Sequence, residues 1–201
     1  LSLADTVRPE SVAAIRALAA RGIESWIVSG DRQEVVNATA RTLGIPLERA
    51  RGGILPGGKG EAIAEIRRNV SGAVAMVGDG VNDAPALAAA DVGIAMGGGT
   101  EIAIDASAAT LSGADPRGVP LLVDLSRATT RIIKQNLAWA FGYNIILVPL
   151  AAGALLPTFG IGLDPALAAA AMGLSSVSVV LNSLRLRRLP LERSPMRSDE
   201  R

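Results

Sequence analysis

Two aspartates carry the strongest chemical signal in this sequence. Asp79 and Asp83 lie four residues apart around a Gly-Val-Asn turn, within residues 78–87 (GDGVNDAPAL) and directly after a short apolar run. Such a turn between a strand and a helix lets both carboxylates face one cavity, and Gly78 and Gly80 permit close approach of the backbone. Mg²⁺ keeps several waters and takes one or two carboxylates plus a phosphate oxygen. The segment therefore predicts a magnesium–phosphate site, whereas a Gly-Asp-Gly turn alone is more often plain strand-to-helix punctuation.

A second group of residues has the chemistry to bind a phosphoryl group. Ser29 offers a hydroxyl beside the amides of Gly30 and Asp31, which we expect to open a helix, and a helix start binds phosphate oxygens. An ordinary serine N-cap would give the same pattern. Lys59 follows a Pro-Gly-Gly segment at an expected helix start. A cation there opposes the helix dipole and calls for an anionic partner, while the alternative is a lone solvated lysine.

The C-terminal part of the chain contains two uncharged intervals. No charged side chain occurs between Lys134 and Asp164, or between Asp164 and Arg185. Each interval can hold a spanning helix of about 20 residues, which predicts a two-helix transmembrane hairpin over 137–156 and 165–184. Basic residues flank both outer ends of the hairpin, so we expect both ends to be cytoplasmic.

Four residues in these intervals have the chemistry to bind a cation. Tyr143 and Asn144 are adjacent in the first interval, and Met172 and Ser176 lie one helical turn apart in the second. Thioether sulfur favours soft monovalent copper over calcium or magnesium. The alternative is that such polar residues only join neighbouring helices.

The composition excludes several classes of site. The 201 residues contain no histidine and no cysteine, which rules out imidazole catalysis and thiolate metal sites within the chain. The net charge is +1 and no basic block is interleaved with aromatic residues, so nucleic acid is not an expected partner.

Residues 1–115 alternate short apolar runs with helical patterns, which is typical of a parallel sheet wrapped by helices. We expect strands over 23–28, 73–77 and 92–96, with helices between them. The active sites of such α/β sheets lie beyond the carboxyl ends of the strands. The candidate phosphate and magnesium residues fall at these positions.

Taken together, these motifs resemble those of a heavy-metal P-type ATPase, a branch of the haloacid dehalogenase-like hydrolases. Residues 78–87 resemble the hinge motif Gly-Asp-Gly-x-Asn-Asp-x-Pro-Ala-Leu at every fixed position. Residues 28–31 (VSGD) resemble the Thr-Gly-Asp motif with its hydroxyl retained, and residues 55–59 (LPGGK) resemble Leu-Pro-x-x-Lys. Residues 5–9 (DTVRP) resemble the Asp-x-x-Arg segment near the nucleotide.

The uncharged intervals carry a further resemblance. Residues 143–144 (YN) and 172–176 (MGLSS) are similar to the transmembrane signatures of the monovalent copper subgroup. The family's fold implies a partial haloacid dehalogenase-like, Rossmann-like parallel-sheet domain followed by the transmembrane hairpin. The implied order is the C-terminal part of the phosphorylation domain over 1–115, a stalk helix over 116–136, a membrane helix over 137–156, an extracytoplasmic loop over 157–164, a membrane helix over 165–184 and a cytoplasmic tail over 185–201.

The resemblance also implies a role for each candidate residue. Magnesium is held by Asp79 and Asp83, and the aspartyl phosphate is bound by Ser29 and Lys59. The residues implied for catalysis are Ser29, Gly30, Asp31, Lys59 and Asn82, and those implied for nucleotide and cofactor binding are Asp5, Arg8 and Gly80. The transported ion, Cu⁺ or Ag⁺, is bound by Tyr143, Asn144, Met172 and Ser176.

Other parts of such an ATPase are absent from these 201 residues. No Asp-Lys-Thr-Gly-Thr nucleophile motif, no Thr-Gly-Glu loop and no Cys-Pro-Cys motif occurs, and the chain begins with Leu. Phosphoryl transfer needs nucleophile, metal and positioning groups together. We therefore expect a fragment of an ATP-driven cation exporter that is inactive when isolated. Its expected partners are the upstream half of the polypeptide, the lipid bilayer and a soluble metal chaperone, with the α/β domain on the cytoplasmic side of a cell membrane.

Two alternatives remain open at this stage. A membrane-tethered phosphatase would use Asp5 as the nucleophile, although Val7 stands where such enzymes carry a general acid and residues 1–4 make a poor central strand. A non-catalytic membrane fragment would only bind a partner, which requires residues 78–87 to match the hinge motif by coincidence.

Overall fold

The computed structural model describes residues 7–79, 81–97, 101–154, 157, 160 and 165–188. Asp5, Gly80 and the expected first strand of residues 1–4 lie outside this part of the chain. The chain divides into two compact units, Leu1–Pro120 and Leu121–Arg201. Each unit is considered by itself.

Unit 1 consists of short strands alternating with helices. In chain order its described elements are α1 (Pro9–Ala19), β1 (Ile27–Val28), α2 (Gln33–Leu43), β2 (Ala50–Arg51), α3 (Lys59–Asn69), β3 (Ala75–Gly78), α4 (Ala84–Ala89), β4 (Val92–Met96), α5 (Glu101–Asp105) and β5 (Ala109–Leu111). Single 3₁₀ turns lie at Leu47–Arg49, Pro56–Gly58 and Val81–Asp83.

The strands are parallel, as the alternation of apolar runs and helices predicts. Strand β1 pairs with β2, with Ile27 opposite Ala50. Strands β3, β4 and β5 form a second group in that order, with Ala75 opposite Val92 and Ile94 opposite Ala109. The α/β class with a parallel sheet is therefore confirmed.

Strand β1 is shorter than the expected strand over 23–28. Ile23 is bonded to the end of α1, because Gly22 has φ +72° and the amide of Ile23 donates to the carbonyl of Leu18 at 3.0 Å. This is the hydrogen-bonding pattern of a helix that ends on a left-handed glycine. Ile23 is thus tied to α1, and strand pairing begins only at Ile27.

The apolar core of unit 1 lies between the helices and the strands. One cluster comprises Val36, Ala40, Ile45 and Ala50, on α2 and the segment that leads into β2. The other comprises Ile63, Ile66 and Ala86, from α3 and α4. Because Val28 of β1 and Met76 of β3 pack against this second cluster, one core supports both strands whose ends carry the candidate site.

Two helices account for most of the described part of unit 2. Helix α6 runs over Gly118–Ala151, beginning at the end of unit 1, and α7 runs over Pro165–Leu184 before a 3₁₀ turn at Arg185–Arg188. Within the described residues, no helix combines the length and apolar character needed to cross a membrane. The transmembrane hairpin predicted over 137–156 and 165–184 is therefore not supported there.

Helix α6 ends five residues before the predicted membrane helix over 137–156 does. Helix α6 stops at Ala151 because Gly153 has φ +85° and the amide of Ala154 donates to the carbonyl of Pro149 at 3.0 Å, which closes the helix end. Its uncharged part, residues 135–151, therefore ends before the predicted span over 137–156 does.

Candidate active site

The site is built where β1 and β3 end. Ser29, Gly30 and Asp31 directly follow β1, and Asp79 directly follows Gly78, the last residue of β3. Both strands rest on the core formed by α3 and α4. The loops after them therefore emerge beside the N-termini of those two helices, where Lys59 and Asp83 stand.

The central contact of the site is an ion pair between Lys59 and Asp83. Lys59 Nζ donates to Asp83 Oδ1 at 2.7 Å, and the two side chains are only 19% and 13% exposed. Lys59 is thus not a lone solvated lysine. The carboxylate of Asp83 supplies the anionic partner that a cation at the start of α3 requires.

Two glycines make this contact possible. A Cβ on Gly78 would lie 2.8 Å from Asp83 Cβ, and one on Gly60 would lie 3.2 Å from the carbonyl oxygen of Pro85. The first distance is too short for any side chain, since Asp83 Cβ is held in place by the loop itself. The end of β3 and the start of α3 therefore approach α4 closely because they carry no side chain at these positions.

The Ser29 turn is organised differently from the expectation. Helix α2 begins at Gln33, with Arg32 as its N-cap residue and no capping side chain. The prediction that Gly30 and Asp31 open the helix is therefore wrong by two residues, and Ser29 is not an ordinary N-cap. Instead, Ser29 Oγ accepts from the amide of Asp31 at 3.2 Å and donates to Asp31 Oδ2 at 2.8 Å. This local bonding competes with helix formation and holds the turn open.

A loop that sequence reasoning missed holds the Ser29 turn from the other side. After β2, the amide of Gly53 donates to the carbonyl of Asp31 at 2.6 Å, and the amide of Ile54 donates to the carbonyl of Ser29 at 3.1 Å. The amide of Gly52 donates to Gln33 Oε1 at 2.7 Å. The adjacent glycines Gly52 and Gly53 were the available signal, because Gly53 has φ +70° and a Cβ on Gly52 would lie 2.8 Å from Gln33 Cα.

The remaining predicted site residues are placed as follows. Asp79 and Asn82 are exposed beside the Val81–Asp83 turn, and Arg8 is exposed at the start of α1. Asp5 and Gly80 lie outside the described residues. Over the described ranges, no cluster of three or more histidine, cysteine, aspartate or glutamate side chains is arranged to hold a metal. Two carboxylates, one of them engaged by Lys59, match the small protein ligand set that magnesium takes when phosphate and water supply the rest.

In unit 2, the four residues predicted to bind an ion have exposed side chains. Tyr143 packs edge to face against Trp139 of its own helix, with ring centroids 6.2 Å apart. Ser176 Oγ donates to the carbonyl of Met172, also within its own helix, at 3.4 Å. Neither of these contacts joins Tyr143 or Asn144 to the residues on α7, so their role as an ion site stays a prediction.

Unit 2 also contains a cross-helix network that the sequence did not reveal. Asn182 Nδ2 on α7 donates to Asn136 Oδ1 at 2.9 Å and to Gln135 Oε1 at 3.3 Å on α6. Asn136 Nδ2 donates to Ser183 Oγ at 2.9 Å. We call Gln135, Asn136, Asn182 and Ser183 the amide cluster; all four are half-buried.

Comparison with known proteins agrees with this architecture. Residues 1–91 match the haloacid dehalogenase-like hydrolase family. With the parallel sheet and the Lys59–Asp83 pair after its strands, this match supports a haloacid dehalogenase-like domain in that part of the chain.

Several relatives are more specific. The chain is 49% identical over 187 residues to a copper-transporting P-type ATPase of Rhizobium leguminosarum bv. viciae, which covers 93% of this chain and 22% of the relative. It is 47% identical over 188 residues to the probable copper-transporting ATPase PacS of Synechocystis, covering 94% of this chain and 25% of the relative. The chain is thus similar over nearly its whole length to copper-transporting P-type ATPases, and it spans about a quarter of the length of these curated relatives.

Solved structures give the same family. A crystal structure of a zinc-transporting PIB-type ATPase in the E2.Pi state superposes with a TM-score of 0.76 at 38% identity, covering 90% of this chain and 28% of that one. The catalytic domain of the CPx-ATPase CopB-B gives a TM-score of 0.52 at 33% identity, covering 59% of this chain and 46% of that domain.

Proposed function

We propose that this chain is part of an ATP-driven cation exporter, a copper-translocating P-type ATPase that hydrolyses ATP through an aspartyl-phosphate intermediate. The observation that carries the proposal is the ion pair of 2.7 Å between Lys59 and Asp83, set beside the end of β3. It provides both signs of charge that a metal-bound phosphoryl group would meet. The nucleophilic aspartate and the nucleotide-binding domain are supplied by a part of the polypeptide outside these 201 residues.

In this proposal Asp79 and Asp83 hold Mg²⁺, which when bound would offset the negative charge of the phosphoryl oxygens. Lys59 then turns from Asp83 to a phosphoryl oxygen, since the cation needs an anionic partner in a site that is mostly shielded from water. The charge of Lys59 is therefore held in place before any ligand arrives.

The Ser29 turn would complete the cradle. Its hydroxyl donates to Asp31 Oδ2 at 2.8 Å, and a short rotation about Cα–Cβ would redirect that donor to a phosphoryl oxygen. The backbone bonds from Gly53 and Ile54 keep the turn in position while the hydroxyl changes partner. We assign Gly30, Asp31 and Asn82 to positioning the phosphate or nucleotide, and Asp5, Arg8 and Gly80 to the nucleotide side of the site.

The transported ion would be Cu⁺ or Ag⁺, bound by Tyr143, Asn144, Met172 and Ser176. A thioether is a soft ligand that suits these ions, and the relatives that align with nearly the whole chain are named as copper-transporting or probable copper-transporting ATPases. The whole protein would reside in a membrane with unit 1 in the cytoplasm, and a soluble metal chaperone would deliver the ion. The phosphatase alternative that uses Asp5 is not favoured, because the relatives that align with nearly the whole chain are P-type ATPases.

The proposal is tested by phosphorylation of the complete polypeptide with radiolabelled ATP. We expect Asp79→Asn to abolish magnesium-dependent formation of phosphoenzyme, because one of two metal carboxylates is lost. Glu48→Gln, which changes an exposed carboxylate on the Leu47–Arg49 turn, is the matched control and should leave phosphoenzyme formation intact. Undiminished phosphoenzyme in Asp79→Asn would refute the assignment.

A further inference from the structure

The amide cluster of unit 2 is a set of hydrogen bonds that joins two helices. Asn182 donates to both Gln135 and Asn136, and Asn136 in turn donates to Ser183. Ser183 Oγ donates onward to the carbonyl of Val179 at 2.9 Å, and Asn182 Oδ1 accepts from Arg185 Nη1 at 3.2 Å. Because three of these hydrogen bonds cross from one helix to the other, the cluster is suited to hold the helices in one register.

The register that the cluster imposes can be read along both helices. Residues 152–164 join α6 to α7, and we expect these consecutive neighbouring helices to run antiparallel. Tyr143 lies seven residues after Asn136, and Ser176 lies seven residues before Ser183. Seven residues correspond to about 10 Å and nearly two full turns of an α-helix. In an antiparallel pair of straight helices, the Asn136–Ser183 contact would therefore bring Tyr143 level with Ser176.

We propose that Asn136, Asn182 and Ser183 are positioning residues for the transported ion: their hydrogen bonds set the register that brings Tyr143 and Asn144 of α6 level with Ser176 and its neighbours on α7. This inference rests on the proposed assignment of those residues to the ion. The cluster itself does not touch the ion. It acts by preventing one helix from sliding past the other.

Neutral amides suit this task better than ions or apolar side chains would. A slide of one turn would leave half-buried amide groups without partners, and each unpaired group costs free energy comparable to a lost hydrogen bond. A purely apolar contact between two helices would tolerate such a slide better, because the hydrophobic effect has no directional preference. The cluster thus makes one register distinctly more stable than its neighbours.

The register can be measured without any transport assay. The chain contains no cysteine, so an introduced pair reports without background. The cysteine pair Ala140→Cys and Val179→Cys lies one helical turn from the cluster on both helices. In the pair Ala140→Cys and Ser175→Cys, the second cysteine lies one further turn along α7. In the otherwise unchanged 201-residue chain, we expect a short thiol cross-linker to join the first pair in preference to the second.

Asn182→Leu combined with Ser183→Ala removes the cross-helix hydrogen bonds with little change in volume. In that background we expect the preference for the first cysteine pair to fall, and the second pair to gain. Ser178→Ala is the matched control, since its hydroxyl bonds only to the carbonyl of Leu174 in its own helix, at 2.9 Å, among the contacts the structure gives it. An unchanged ratio of the two cross-linked products would overturn the inference.

The consequence for the ion is measured in the complete polypeptide. We expect Ser183→Ala to raise the copper concentration for half-maximal ATPase activation by about 3- to 10-fold, the loss expected from one hydrogen bond, with the maximal rate and magnesium dependence unchanged. Ser183→Thr, which keeps the hydroxyl, should restore the parental value, and Ser178→Ala should not alter it. A purely structural role would lower the amount of active protein, not the apparent copper affinity.

The possible results distinguish the positioning role of the amide cluster from the assignment of the ion-binding residues. The positioning role would be overturned if the cluster variants shift the register but keep parental copper activation, while Tyr143→Phe does weaken that activation. Parental copper activation in both Tyr143→Phe and Met172→Leu would overturn the proposed ion assignment, and the positioning inference with it, while leaving the register result intact. A shifted register together with weakened copper activation in Ser183→Ala and rescue by Ser183→Thr would support the inference.

Discussion

The ion pair between Lys59 and Asp83 makes a measurable contribution to the stability of unit 1. Both side chains are largely shielded from water, at 19% and 13% exposure. A hydrogen bond between charged groups in such a setting contributes about 1.5–3 kcal/mol, part of which is the cost of leaving the other partner unpaired. We expect Lys59→Met to lower the free energy of unfolding of unit 1 by an amount in this range.

A double-mutant cycle with Lys59→Met and Asp83→Asn isolates the pairwise part of this contribution. Residues in direct contact show coupling free energies of about 0.5–3 kcal/mol, and we expect a value above 1 kcal/mol here. The pair of Arg49 with Glu24 is the control, because its side chains are 30% and 59% exposed. Exposed pairs of this kind contribute only about 0.2–1 kcal/mol.

The assay is urea unfolding of the 201-residue chain followed by tryptophan fluorescence. The chain has two tryptophans, of which Trp26 packs against the core of unit 1 and Trp139 lies on α6. Trp139→Phe as the common background therefore confines the signal to unit 1. A coupling between Lys59 and Asp83 no larger than that between Arg49 and Glu24 would show that the pair is solvated and would contradict its description as a preformed site.

Three further outcomes are expected. Gly78→Ala should destabilise unit 1 by about 1–3 kcal/mol in the same urea assay, because the new Cβ would meet Asp83 at 2.8 Å. The control Gly57→Ala has no atom within 4 Å of its Cβ and should leave the stability nearly unchanged. Equal effects of the two substitutions would refute the steric explanation. The hydrogen bonds from Arg117 lower the pKa of the Asp115 carboxyl below its usual 3.8, so the pair stabilises the fold above pH 3.8 and loses this effect as the pH falls through the lowered pKa. Melting temperatures measured from pH 5 to pH 2 should therefore fall less steeply in Asp115→Asn than in the parent chain. Parallel curves for the two proteins would contradict this prediction. The purified chain with magnesium and an aryl phosphate should show no turnover that Asp5→Asn abolishes, and such turnover would reinstate the phosphatase alternative.

The sequence predicted the helices of unit 1 better than its strands. The start of α3 at Lys59 and the whole of β4 over Val92–Met96 agree with the expected bounds. Strands β2 and β5 went unpredicted, because two or three residues are too few to show an alternating pattern. Their pairing depends on neighbours that are distant in the chain.

The contents of the site were predictable from residue types, but its internal contacts were not. Lys59 was expected to need an anion, yet Asp83 had been assigned to a metal, and nothing local relates two residues that are 24 positions apart. The position of the Ser29 turn outside α2 was missed because a serine hydroxyl bonds equally well to a helix amide and to its own turn.

The end of α6 in unit 2 departs from the predicted bounds for a different reason. Counting uncharged residues measures composition, whereas the end of a helix is set by local backbone geometry. Gly153 permits the left-handed conformation that ends α6 at Ala151. The amide cluster was invisible for the same reason that long-range pairs usually are: Asn136 and Asn182 are 46 residues apart.

The pairing of Lys59 with Asp83 means that the resting pocket is electrically self-compensated. A phosphoryl anion that drew the ammonium away would leave a bare carboxylate, and a divalent metal that took the carboxylate would leave a bare ammonium. Either ligand alone thus creates an uncompensated charge in a shielded place, whereas the two arriving together exchange one internal pair for two external ones. Occupancy by metal and by phosphate should consequently be mutually reinforcing, each raising the affinity of the pocket for the other.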